Sequence, residues 1–63
     1  MAEYEWVKQY NEWLWQQDGE TWASLWSSDG VWRLVYVRGC GLMAADLREI
    51  ARKLDSLNGE YAP

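Results

Sequence analysis

AEYEWVKQYNEWLWQQ, residues 2–17, carries its apolar side chains at Trp6, Val7, Tyr10, Trp13 and Leu14. These fall at i, i+1, i+4, i+7 and i+8, the spacing of one face of an amphipathic helix, so a helix is expected over residues 2–17. Tyr4 and Trp15 miss that stripe and share its opposite flank with Lys8 and Asn11. The helix would thus own a complete core face and a spare aromatic pair. Asp18-Gly19 would end it, Gly19 supplying the left-handed residue past the last turn.

Beyond that stop the period changes to two. Residues 20–38 read as a β-hairpin: Thr21 to Trp26, then Ser27-Ser28-Asp29-Gly30, then Val31 to Val37, which is rich in Val, Trp and Tyr. A two-residue Asp29-Gly30 turn would set Leu25 beside Leu34 and split the tryptophans between faces. A three-residue Ser28-Asp29-Gly30 loop with Gly30 left-handed would set Trp26 opposite Trp32 and Trp22 opposite Tyr36. The second register is preferred, because it gathers Trp22, Trp26, Trp32, Leu34 and Tyr36 on one face. Gly39-Cys40-Gly41 reads as a joint. Leu47, Ile50, Ala51, Leu54 and Leu57 then recur at helical spacing, which predicts a second helix over about residues 43–58, stopped by Asn58-Gly59. Glu49 and Lys53 are placed to pair at i,i+4, Asp46 lies near the helix's positive end, and residues 60–63 read as a tail.

The expected fold is therefore α+β: one domain in the order helix-strand-strand-helix, two amphipathic helices packed on a two-stranded hairpin. Such a hairpin keeps two unpaired edges and one uncovered face. Either a second copy completes it as a homodimer, or the bare face docks on another protein.

Composition points the same way. The chain has 63 residues with six Trp and four Tyr but no Phe and no His. A domain of this length buries only about 60% of the surface that its unfolded chain exposes. Trp and Tyr each combine a large apolar body with a polar tip, which suits interfaces. The single cysteine, Cys40, closes no internal disulfide, and one Cys without His offers no structural metal site. Without histidine the commonest general base is missing, and no nucleophile, phosphate-cradle or cofactor motif is present, so an enzyme is not expected. The N-terminal MAEYEWVK lacks the basic and apolar regions of a signal peptide and no apolar run approaches a membrane span, which suggests a cytoplasmic protein.

The net charge of −4 is unevenly spread: residues 1–30 hold six carboxylates against Lys8, and residues 31–63 hold five cations against four carboxylates. An acidic half disfavours a phosphate backbone as ligand and favours a basic protein surface. In size, acidity and lack of enzyme motifs the chain resembles the small inhibitors of bacteriophages, such as anti-CRISPR proteins and uracil-DNA glycosylase inhibitors. That resemblance implies an inhibitor or adaptor masking a basic surface of a nucleic-acid-handling protein. The candidate contact residues are Tyr4 and Trp15, the acids Glu5, Glu12 and Asp18, and Arg33, a residue type enriched at binding hot spots. The alternatives are a structural homodimer and an aromatic binder of small ligands or single-stranded nucleic acid.

Overall fold

The segment expected to be the first helix is a β-hairpin. The computed structural model describes residues 4–59, with strands β1 (Tyr4–Gln9), β2 (Glu12–Gln17), β3 (Glu20–Trp26) and β4 (Arg33–Val37), then helix α1 (Ala44–Asn58). The four strands form one antiparallel sheet in the order β1-β2-β3-β4. Helix-strand-strand-helix is thereby replaced by four strands and one helix. Residues 2–3 of the expected helix and residues 60–63 of the expected tail lie outside the described residues.

The helix-like spacing has a simple origin. Trp6-Val7 and Trp13-Leu14 are two adjacent apolar pairs on opposing strands, and the hairpin register sets Val7 opposite Leu14 and Trp6 opposite Trp15. In a strand, neighbours point to opposite faces, so each pair divides its members between the two sides of the sheet. Tyr, Trp and Val also favour strands over helices. Asp18-Gly19 is a hairpin turn rather than a helix stop. Asp18 (φ 52°) and Gly19 (φ 81°) are both left-handed, as a two-residue type I′ connection requires.

The β3–β4 register also differs from the preferred one. Trp26 lies opposite Arg33, Leu25 opposite Leu34, Ser24 opposite Tyr36 and Ala23 opposite Val37, with Val35 as an extra residue. Leu25 and Leu34 are paired as the rejected register had them, but across a connection that spans residues 27–32. A second irregularity, between Trp15 and Gln16, leaves Trp22 without an opposite residue in β2. The bulge sends Trp22 to the side of Trp15, with ring centroids 6.2 Å apart, while Trp26 goes to the other face.

α1 packs on one face only. Trp15, Ala23, Leu25 and Ile50 form the buried centre, and Trp6, Trp13, Trp22, Trp32, Leu54 and Leu57 pack around them. Five of the six tryptophans therefore serve the core. The helix turns Asp46 and Ile50 inward and leaves Leu47 exposed, a rotation away from the stripe expected from its leucines. Met43 provides no side-chain cap; instead the Asp46 carboxylate accepts the Met43 N–H at 2.7 Å. At the other end Gly59 is left-handed (φ 64°) and its N–H reaches Asp55 O. The expected Glu49–Lys53 pair is absent: Glu49 binds Arg52 at 2.7 Å, and the Lys53 ammonium lies 3.7 Å from the Trp13 ring centroid.

The last turn of α1 is tied to the β3–β4 connection by one side chain. Asn58 Oδ1 accepts the Trp32 N–H at 2.7 Å and Asn58 Nδ2 donates to the Trp32 carbonyl at 3.0 Å, so an amide side chain completes a backbone pair. Asn58→Ala leaves both Trp32 groups without that partner and is expected to cost about 1–3 kcal/mol. A denaturant midpoint lowered at unchanged slope would show it; an unchanged midpoint would mean that water replaces the amide without loss.

Candidate functional site

With α1 on one side, the opposite face of the sheet has no covering element among the described residues. Its side chains follow from the register. Val7, Leu14, Ser24 and Tyr36 form a row across all four strands. Gln9, Glu12, Trp26 and Arg33 form the next row. On the other flank of the apolar row stand Glu5, Gln16 and Thr21. Trp26 is 41% and Tyr36 49% exposed, two aromatic rings on adjacent strands in neighbouring rows of the same face. Rings so placed are the usual anchors of protein interfaces.

The electrostatics of this face are one-sided. Three of the six cations are committed elsewhere: Arg38 lies 4.1 Å from the Trp22 ring and 3.7 Å from Glu20, Arg52 is on Glu49, and Lys53 is over Trp13. Arg33, on the open face, bonds Asp29 at 3.3 Å. The Val31 N–H and then Arg33 hold the Asp29 carboxyl below its ordinary range. Glu5, Glu12 and Asp18 have no side-chain partner among the described residues. Glu5 and Asp18 line one shallow polar cleft with Gln16 and Gly19. The open face is an apolar, aromatic strip bordered by unpaired carboxylates.

The core side holds the other recess, a cleft of about 270 Å³ lined by Tyr4, Trp6, Trp15, Ala45, Asp46 and Glu49. Its polar groups are already partnered. Tyr4 Oη donates to Asp46 at 3.2 Å and Trp6 Nε1 to Glu49 at 3.0 Å, bonds that zip β1 to α1. Tyr4 and Trp6 both stack on Trp15, with centroids at 4.6 and 5.7 Å, which occupies the ring faces that a cationic ligand would need. Burial, reinforced by Asp46, raises the Tyr4 phenol above its usual value. The Arg52 hydrogen bond, helped by Trp6, holds the Glu49 carboxyl below its ordinary range against the opposing effect of burial. A carboxyl lowered in the fold adds stability above its unfolded pKa and loses it as pH falls through its folded value. An acid titration of stability should show that loss. Glu49→Gln should remove it, by no more than about 1 kcal/mol since the pair is partly solvated.

The six expected contact residues divide between the faces. Glu5, Glu12 and Arg33 lie on the open face, and Asp18 sits at its rim in the β2–β3 turn. Trp15 is not a surface ring: at 1% exposure it is the largest fully buried side chain, because the strand turns it onto the same side as Trp6 and Trp13. Tyr4 is 41% exposed but stands on the α1 side, bound to Asp46. Sequence reasoning missed Val7, Leu14, Trp26 and Tyr36 as a group. Their signal was the strict alternation of each strand, hidden by the bulge at Trp22. Comparison with protein-family models, curated proteins and solved structures finds no match for this chain.

Proposed function

We propose that this chain is a protein-binding module, an inhibitor or adaptor whose open sheet face docks on a basic, partly apolar surface of a larger protein. The observation that carries the reading is Trp26 and Tyr36, exposed together on the face that also holds the unpaired Glu5 and Glu12. The rings supply buried area at low conformational cost, and the carboxylates select a partner rich in Lys and Arg. A surface built to hold nucleic acid has that character, which favours a nucleic-acid-handling protein as the target. Nucleic acid itself is the weaker candidate, since the same carboxylates repel phosphates. The encounter fits the cytoplasm, where the exposed thiol of Cys40 stays reduced. No helix among the described residues is long and apolar enough to cross a membrane.

The test is capture from the native host followed by kinetics on the purified partner. Association with the intact chain should slow as salt is added, and Glu5→Gln with Glu12→Gln should flatten that dependence while preserving the melting temperature. Equal salt slopes for the two chains would remove the electrostatic basis of the reading. Retention of oligonucleotide in place of protein would replace it with the nucleic-acid alternative.

A further inference from the structure

The two edges of the sheet are built differently. On the α1 side of β3, Ala23 and Leu25 are both 0% exposed; their neighbours on β4, Val37 and Leu34, are 36% and 40% exposed. One strand further out, the cover has ended. At the opposite edge the α1-side residues Tyr4 and Trp6 are bonded to the helix through Asp46 and Glu49, and the strand itself carries Glu5, Lys8 and Gln9. The helix is thus displaced toward β1. Among the described residues β4 is left with an unpaired edge, exposed apolar side chains on both faces, and no charge between Arg33 and Arg38.

We propose that the β4 edge pairs antiparallel with β4 of a second copy about a two-fold axis, joining two sheets into one of eight strands. The order Arg33-Leu34-Val35-Tyr36-Val37-Arg38 is close to its own reverse in chemical type. An axis between Val35 and Tyr36 sets Leu34 against the partner's Val37 and Val35 against the partner's Tyr36, which makes the patch self-complementary, as an isologous contact requires. Arg33 and Arg38 meet only at the ends of the pairing, and both are already neutralised, by Asp29 at 3.3 Å and Glu20 at 3.7 Å.

Charge selects this edge over the open face as the place for a second copy. Glu5 and Glu12 stand on β1 and β2, three and two strands from β4. At about 4.8 Å per strand, edge pairing keeps the two sets of carboxylates on the order of 20 Å or more apart, well beyond the Debye length of about 8 Å at physiological salt. Stacking the open faces would press those unpaired carboxylates together. The edge contact is independent of the partner reading and leaves both open faces on the same side of one wider sheet.

Sedimentation equilibrium over a wide concentration range tests the proposal, with a mass twice the chain's 7.4 kDa as the expected result. Val35→Lys places a charge on the apolar edge at a residue that has no opposite in β3. It should stay at the monomer mass where the unmodified chain is dimeric, with unchanged circular dichroism and the thermal midpoint that the unmodified chain shows when dilute enough to be monomeric. Tyr36→Lys, a second route to the same charge, should do likewise, whereas Trp26→Ala should leave the dimer intact. Monomer mass for the unmodified chain at every concentration would overturn the proposal. So would a dimer that survives both lysine variants, or one that Trp26→Ala dissociates while they do not.

Discussion

Trp15→Ala is expected to abolish cooperative folding. Trp15 is 1% exposed and stacks between the rings of Tyr4 and Trp6 while meeting Trp22 edge-on at 6.2 Å. Truncating a buried indole costs about 3–5 kcal/mol, the lost transfer energy plus the cavity left behind. Total stability at roughly 0.05–0.15 kcal/mol per residue comes to only about 3–9 kcal/mol for a 63-residue domain. The deletion therefore removes between about a third and all of what holds the chain folded. Its thermal melt should be broad or missing and its amide NMR spectrum collapsed. A sharp melt within a few degrees of the unmodified protein would place Trp15 outside the core. This reverses the expectation drawn from residues 2–17, under which Trp15 was a surface contact whose loss would spare the fold.

Trp26→Ala should have the opposite profile. Trp26 is 41% exposed on the uncovered face and belongs to none of the core contacts around Trp15 and Ile50, so its truncation should leave the melt nearly unchanged. If that face docks the partner, an aromatic anchor on it is worth at least about 2 kcal/mol, a loss of roughly thirtyfold or more in affinity. Titration of the captured partner with the two proteins measures it. Equal affinities, with both proteins folded, would move the binding surface off this face.

The reversal at Trp15 shows where the sequence is ambiguous. Two apolar pairs seven residues apart lie about two turns apart on one face of a helix, and they equally suit a hairpin whose strands each contribute one member per face. The Tyr10-Asn11 turn carries no Gly or Pro to break the tie, and Asp18-Gly19 is a valid signal for either outcome. α1 was legible because its leucine spacing, sustained from Leu47 to Leu57, has no strand equivalent. Its rotation was not, since that depends on Asp46 and Glu49 finding donors on β1, forty-odd residues away. On the candidate site, the acids Glu5, Glu12 and Asp18 could be picked out from charge distribution alone. Trp26 and Tyr36 were expected on one face, but in company with Trp22 and Leu34, because the extra residues at Trp22 and Val35, which send those two to the α1 side, leave no mark in the pattern.

The strand order β1-β2-β3-β4 also bears on how fast the chain can find its fold. Each strand pairs with its immediate successor, so the whole sheet can zip hairpin by hairpin with little loop-closure entropy at any stage. The distant closures are those of α1 onto β1, where Tyr4 meets Asp46 across 42 residues and Trp6 meets Glu49 across 43. Return of the helix is then the kinetic bottleneck, and until it arrives the indoles of β1 to β3 stand in water as an adhesive surface. A chain of this design is most vulnerable to clumping in that interval, before α1 has closed over the rings.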